Sequence, residues 1–246
     1  IIVNDDEKIF ADNVVLGLGR DGSIFLSELL SKYGVEMINN RVDIGVRVET
    51  SNVVMQEINE NLYEGKFVYY TSNGVKVRTF CSNPSGHVVL ENDHHVILAN
   101  GHSYQDPKLG SENTNFALLV SHKFSEPFND PNSYAYSLAK LANKLSCGSV
   151  ILQRFGDIML QRRSTEKRIK EGFVVPTLKE AVPGDLALCL PYKTLSALIE
   201  MIKVLDKVTP GIANDDTLFY GVEAKFYSAR VDVDKTLMVK NINNLY

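Results

Sequence analysis

Cysteine is scarce in this chain, with three residues among 246. Cys81, Cys147 and Cys189 lie far apart, and their number is odd. This spacing excludes a dense disulfide framework and provides no Cys-x-x-Cys motif for a metal. We therefore expect the protein to work in a reducing, cytoplasmic environment.

Long apolar runs and an excess of basic residues are also absent. No stretch approaches the roughly 18 to 20 apolar residues that a membrane helix requires, and no signal-peptide pattern is present. Lys and Arg number 26 against 30 Asp and Glu, which gives a formal charge of −4. Such a balance disfavours broad binding to nucleic-acid phosphates, because such binders usually carry a basic face. We expect no membrane and no nucleic-acid partner.

The remaining composition is that of an ordinary globular protein. Apolar residues make up 44% of the chain and charged residues 23%, enough for a substantial core in one large or two small domains. The chain opens on Ile1 rather than Met and stops at Leu245-Tyr246, an apolar pair that suggests the start of a strand. We expect it to be a piece of a longer protein.

Three glycines near the start match the spacing of a dinucleotide-binding loop. Gly17, Gly19 and Gly22 form Gly-x-Gly-x-x-Gly after an apolar run and before a helical pattern. A dinucleotide fingerprint also needs Asp or Glu at the end of the second strand, whereas this chain has Asn39-Asn40 there. The pattern therefore favours a strand-to-helix turn that needs small residues, and a primary pyrophosphate cradle is the alternative.

Hydrophobic periodicity predicts an α+β fold: a mixed, largely antiparallel sheet with helices, plus an α/β-like edge contributed by the terminal segments. The Asn73-Gly74 pair is a strong hairpin signal. The alternation in 42–49 predicts a half-buried strand, and 87–90 and 95–99 are expected to continue the sheet. The predicted helices cover 23–32, 51–62, 133–144 and 195–208, and the predicted strands cover two segments within 8–16, then 35–38, 42–49, 67–71, 75–80, 87–90, 95–99, 115–123, 220–226 and 237–239.

Several ordered motifs give the chain a family resemblance. They read RTFCSNPSGHVV from Arg78, ANGHS from Ala99, QRFGD from Gln153 and VPTL from Val175. Together they resemble the bacterial FAD-dependent dehydrogenases, which are two-dinucleotide-type flavoproteins. The resemblance implies FAD as cofactor, a small-molecule substrate, NAD(P)H or another electron partner, and hydride exchange with flavin N5.

The resemblance also implies a division of the chain. Residues 1–50 would be part of a flavin domain, 51–215 an inserted substrate-side domain, and 216–246 the return to the flavin domain. The main phosphate loop would precede Ile1, so we expect the chain alone to be inactive and to retain no FAD. Within it, Gly17, Gly19 and Arg20 are the expected cofactor contacts.

Candidate catalytic and substrate residues come from polar clusters beside predicted strands. His102 is a candidate general base because histidine titrates near working pH, and Cys81 is a candidate reactive thiol in a predicted loop. A turn and a structural thiol are the respective alternatives, and His87, His94 and His95 lack the spacing of a metal site. The candidate substrate-binding residues are Arg78, Asn100, Ser103 and Arg154.

A cluster of arginines leaves two further hypotheses open. Gln153, Arg154, Asp157 and the pair Arg162-Arg163 predict a patch facing an anion, or else a solvated helix face. Arg154, between two apolar residues, is expected to be directed inward. The alternative to an enzyme is a non-catalytic ligand-binding or RNA-interacting module, with a basic surface built from Arg47, Arg78, Arg154, Arg162 and Arg163.

Overall fold

The computed structural model describes residues 1–4, 6–125, 127–128 and 130–246 and combines helices with sheets, which confirms the predicted α+β class. The chain divides into two units. The terminal unit contains Ile1–Arg41, Lys123–Pro131 and Phe226–Tyr246, and the central unit contains Val42–His122 and Asn132–Lys225. The main divisions therefore fall at 41/42 and 225/226, outside the 50/51 and 215/216 boundaries that the resemblance implied.

The helices and strands are numbered in chain order. The helices are α1 (Ser23–Lys32), α2 (Asn52–Asn61), α3 (Pro131–Leu145), α4 (Phe155–Met159), α5 (Glu166–Lys170) and α6 (Tyr192–Leu205), with single 3₁₀ turns at Pro107–Leu109 and Leu186–Leu188. The strands are β1 (Ile2–Val3), β2 (Glu7–Lys8), β3 (Met37–Ile38), β4 (Val42–Ser51), β5 (Val68–Tyr70), β6 (Lys76–Asn83), β7 (His87–Asp93), β8 (Val96–His102), β9 (Asn113–His122), β10 (Ile151–Arg154), β11 (Val182–Pro183), β12 (Leu218–Lys225) and β13 (Arg230–Val231).

A seven-stranded sheet organises the central unit. Its order is β11-β10-β12-β4-β9-β6-β5, and every neighbouring pair is antiparallel except β10 and β11. The central strand β4 places Arg47 opposite Tyr220 on one side and Ala117 on the other. The register shifts between Tyr220 and Glu223 in β12 and between Phe80 and Asn83 in β6. Such irregularities re-aim side chains locally.

Strand β4 is buried on both faces, so the expectation of a half-buried strand was wrong. Helices α2 and α6 contact β4 and β9 and cover the apolar face. The β7–β8 ribbon covers the other face, because Asn100 bonds Arg47 there. One face carries Val42, Ile44, Val46 and Val48, and the other carries Asp43, Gly45, Arg47 and Glu49.

The β7–β8 ribbon does not continue the large sheet, contrary to expectation. The two strands pair only with each other, from His87 opposite His102 to Asp93 opposite Val96. Buried Val88 and Ala99 pack with the β10 and β12 side chains, so apolar contacts hold the ribbon on the sheet. The ribbon is therefore a lid over the polar face of β4.

The structure confirms the predicted end of α1, the predicted start of α2 and the predicted β5–β6 hairpin. Gly34, with φ +68°, follows the end of α1 as predicted, and Ser51 caps α2 by accepting a hydrogen bond from the Val53 amide. Gly74, with φ +77°, lies in the turn between β5 and β6. Among the described residues, every helix is too short or too polar to cross a membrane.

The terminal unit contains α1 and short strands. Leu26, Leu30, Val35 and Val239 form its buried core, and β3 pairs with β13. The predicted buried strand ending at Leu16 and the predicted strand 237–239 were wrong, because only isolated bridges form there, Val14 with Leu245 and Val233 with Val239.

Candidate functional site

The glycine-rich loop lies directly before α1 in the terminal unit. Gly19 has φ +63°, and a Cβ at Gly22 would collide with the side chain and carbonyl of Leu18. The side-chain amide of Asn39 donates to the Phe124 and Phe128 carbonyls, so Asn39 is held by residues of the terminal unit. Two of the glycines are therefore required by the turn itself, and the loop matches a strand-to-helix turn better than a complete dinucleotide fingerprint.

Gly17 is different from the other two glycines. It is exposed, its φ is not positive, and a Cβ there would meet no atom within 4 Å. Neither the backbone nor packing among the described residues requires glycine at this position. The loop therefore leaves an open approach to the backbone at Gly17, as a cofactor contact would need.

A fully buried arginine is the centre of the candidate site in the central unit. Arg47 Nη1 donates to the Cys81 carbonyl at 3.0 Å, and Nη2 donates to Asn100 Oδ1 at 3.0 Å. Its Nε lies 3.3 Å from Glu223 Oε2. A buried guanidinium is costly unless it is paired and hydrogen-bonded, and the two irregular strand segments supply these partners.

Glu223 has the most unusual electrostatic environment in this cluster. Glu223 is 8% exposed, and its Oε2 accepts no hydrogen bond from the described residues. Burial raises the pKa of Glu223 to about 7; the Arg47 charge opposes this shift without cancelling it, and Glu91 adds to it. A buried carboxyl that titrates near neutral pH is suited to accept and release a proton.

Glu49 is the second buried carboxylate on this face and is satisfied by several donors. It accepts from Tyr220 Oη, from Thr177 Oγ1 at 2.6 Å and from Asn113 Nδ2 at 3.0 Å. Burial, followed by the nearby Glu49 charge, raises the pKa of Tyr220 well above its ordinary value. Tyr220 therefore remains a hydrogen-bond donor to Glu49.

Asn100 belongs to the Arg47 cluster, but the turn predicted around it was wrong. Asn100 and Gly101 lie within β8, and Asn100 Nδ2 donates to Glu91 Oε2 at 2.5 Å. A Cβ at Gly101 would collide with the Asn115, Asn83 and Arg47 side chains. Glycine thus lets β8 lie directly on the amide groups of the polar face.

The two weak catalytic candidates occupy different positions. Cys81 lies in β6 rather than in a loop, with φ +51°, and its amide donates to Glu64 Oε1 at 3.0 Å. Its carbonyl accepts from Arg47, so its backbone belongs to the cluster. His102 is exposed with its ring edge-on to Tyr104, and Ser103 is exposed just beyond β8. Catalytic roles for Cys81 and His102 stay predictions.

The two arginines predicted to bind substrate, Arg78 and Arg154, both contact carboxylates. Arg78 donates to Asp43 Oδ2 through Nε at 3.1 Å and Nη2 at 2.7 Å, and its guanidinium lies 4.9 Å from the Phe80 ring centre. Arg154 is mostly buried, as expected, and its Nε and Nη2 donate to Asp216 Oδ1. Their substrate roles stay predictions. The basic surface proposed for an RNA-interacting module was wrong in one respect, because Arg47 is fully buried.

The carboxylates of the site were not among the functional residues predicted from the sequence. Glu223 interrupts the otherwise apolar segment 218–224, and this interruption was an available signal, whereas Glu49 and Glu91 lie in strands that carry several other polar residues. Within the described ranges, no group of three His, Cys, Asp or Glu side chains could hold a metal ion.

Comparison with known proteins gives two findings. A family model described as "FAD-dependent protein, C-terminal domain-like" matches residues 41–226, which is more than half of the chain. An uncharacterized protein from Clostridium beijerinckii is 29% identical, over 98% of this chain and 47% of the relative. The chain therefore spans about half the length of this curated relative.

Proposed function

Because the chain belongs to the FAD-dependent protein, C-terminal domain-like family, we propose that it is part of an FAD-dependent oxidoreductase, a dehydrogenase, whose central unit shapes the substrate site beside the flavin. The observation that carries the proposal is the extent of the match. Residues 41–226 begin and end within one residue of the outer limits of the central unit, which consists of Val42–His122 and Asn132–Lys225. The family's characteristic part is thus the unit that holds the Arg47 cluster.

The residues of the glycine-rich loop fit a contact with FAD. Gly17 offers open backbone, Gly19 supplies the left-handed turn, and Arg20 follows as an exposed cation. The ribose contact expected from a carboxylate at position 39 is missing, since Asn39 is bonded within its own unit. We therefore assign Gly17, Gly19 and Arg20 a secondary contact, with the main phosphate contacts made elsewhere in the complete protein.

The bound flavin would supply a hydride acceptor or donor at its N5 atom. Dehydrogenation of a substrate also releases a proton, and Glu223 is the group that this chain offers to hold it, because its carboxyl titrates near neutral pH. Arg47 orients Glu223, and Asn100 fixes Arg47 from the ribbon. The β7–β8 ribbon excludes water from this part of the sheet. A small-molecule substrate and NAD(P)H or another electron partner complete the proposal.

The complete gene product tests this function most directly. We expect it to purify yellow, with flavin absorbance that bleaches on reduction. A colourless complete protein that takes up no added FAD would overturn the proposal. The 246-residue chain is expected to retain no FAD, and stoichiometric flavin in it would contradict our placement of the main phosphate contacts.

A pair of variants of the complete protein tests the glycine loop. Gly17→Val places a branched side chain on the open backbone and should weaken FAD retention about tenfold or more if the cofactor approaches there. Ser31→Val, at an exposed position of α1, is the matched control and should leave retention unchanged. Equal FAD retention by both variants would remove Gly17 from the cofactor site.

A further inference from the structure

Three arginines surround one buried carboxylate at a distance from the Arg47 cluster along the chain, and we propose that they and Phe173 form a binding site for the phosphate and base of a nucleotide. The site does not depend on the proposed flavin function. Its centre is Asp157, whose side chain is fully buried in the short helix α4. The arginines that contact it are Arg154, Arg162 and Arg168.

Asp157 fixes two of these arginines in place. Its carboxylate accepts from Arg162 Nε at 2.7 Å, from Arg168 Nε at 3.1 Å and from Ser164 Oγ at 2.7 Å. Burial alone would raise the pKa of Asp157, but these hydrogen bonds outweigh it and hold the pKa below its ordinary value. Asp157 therefore stays ionised and orders the two guanidinium groups before any ligand arrives. Such preorganisation lowers the entropic cost of binding.

The fixed arginines retain unused donors. A guanidinium has five N–H donors, and the Asp157 contact of Arg162 uses only its Nε. Neither terminal nitrogen of Arg162 has a hydrogen-bond partner in the described part of the chain, and its side chain is 49% exposed. Arg168 also donates to the Arg163 carbonyl, while Arg163 donates to the Pro183 carbonyl at 3.3 Å. Several oriented N–H groups thus face solvent, as phosphate recognition requires.

Several neighbouring charges are paired with one another. Arg154 is paired with Asp216, and the lysines of α5 are paired with its glutamates, Lys170 with Glu166 at 3.6 Å and Lys167 with Glu171 at 3.9 Å. Asp157 is therefore the carboxylate that holds Arg162 and Arg168 together. One carboxylate shared between two arginines leaves positive charge for an anion.

An exposed aromatic residue, Phe173, is linked to the arginine group through its backbone. Phe173 is 89% exposed and follows α5, and its amide donates to Asp216 Oδ2 at 3.0 Å. The same Asp216 carboxylate accepts from Arg154, whose Nη1 lies 3.7 Å from Asp157. Phe173 is thus joined to the arginine group through two carboxylates. In the proposed site the phosphate binds the arginines and the base stacks on Phe173, because nucleic-acid bases stack on exposed aromatic rings.

Binding of adenosine monophosphate, measured by isothermal titration calorimetry on the full chain, tests the site. We expect measurable binding of AMP, weaker binding of inorganic phosphate and weaker binding of adenosine. Arg162→Gln and Arg162→Lys should each weaken AMP about tenfold, since lysine keeps the charge but loses the planar set of donors. Phe173→Ala should weaken AMP about tenfold and leave phosphate unchanged.

Two matched controls decide between a site and a general surface effect. Lys170→Gln removes the same charge nearby, and Tyr192→Ala removes an aromatic side chain that is 87% exposed elsewhere. Both should bind AMP like the wild type. No AMP binding to the wild type, or equal losses in the controls, would overturn the proposal. If the Arg162 variants unfold, Phe173→Ala still decides it, because that side chain is almost fully exposed.

Discussion

Replacing Glu223 with glutamine should remove a specific pH dependence of stability. The folded-state pKa of Glu223 is about 7, against an ordinary value of 4.5. Between these values the folded state binds more protons than the unfolded state, so Glu223 lowers stability as pH rises from 4.5 through 7. The full shift in the pKa of Glu223 corresponds to about 3 kcal/mol in the free energy of unfolding, and about 2 kcal/mol of this is lost between pH 5 and 7.5.

Urea unfolding of both proteins at several pH values measures this effect. The free energy of unfolding of the wild type should fall by about 2 kcal/mol relative to Glu223→Gln between pH 5 and 7.5. The absolute stability also changes, because Arg47 loses its ionic partner, so the difference in slope is the informative quantity. His122, whose pKa is lowered by burial and by Lys193, adds an opposite trend that is the same in both proteins.

The control is Glu60→Gln, at an exposed position of α2, and its curve should follow that of the wild type. Parallel curves for the wild type and Glu223→Gln would show that Glu223 titrates normally. That result would refute the buried-carboxyl argument and remove Glu223 from the proposed proton role.

Three further results are expected. Gly101→Ala should lower the free energy of unfolding by about 1–3 kcal/mol in urea, because its Cβ would enter the amide groups beneath β8, whereas Gly17→Ala should be nearly neutral. A thiol reagent should label exposed Cys147 at once and Cys189 only on unfolding, since burial raises the pKa of Cys189 to about 12; rapid native labelling of Cys189 would contradict its burial. Asp157→Asn should lower stability at pH 7 by about 2–4 kcal/mol, and the difference from the wild type should shrink in acid as pH falls through the depressed pKa of Asp157, as thermal unfolding across pH would show.

The sequence predicted those parts of the fold that depend on near neighbours. The α1 helix, its end at Gly34 and the Asn73-Gly74 hairpin are encoded within a few residues, so periodicity and turn chemistry were enough. The strands of the β7–β8 ribbon were predicted, but their separation from the large sheet was missed, because joining a sheet depends on strands that are distant in the sequence. Nothing within 87–102 indicates that these two strands form a separate ribbon that packs on the face of the seven-stranded sheet.

The candidate site was predictable only in part, for a related reason. Asn100 was chosen for its donors and does contact the cluster, although from a strand rather than a turn. Arg47 was predicted only as part of the basic surface of the RNA-interacting alternative, whereas it is fully buried, and its ionic partner Glu223 lies far along the chain. A buried ion pair between distant strands leaves no local pattern, because Arg47 shares β4 with Asp43 and Glu49, and nothing in that strand marks Arg47 as the partner of Glu223.

The two buried faces of β4 also constrain how the protein can misfold. A one-residue slip of this strand would carry Arg47 and Glu49 to the side of α2 and α6, and would place the strand's valines against the polar groups under the ribbon. For a strand with one face in solvent, such a slip would destabilise the packing of one face, whereas for β4 it would destabilise both. The polar cluster thus fixes the register of the central strand, whatever chemistry it performs.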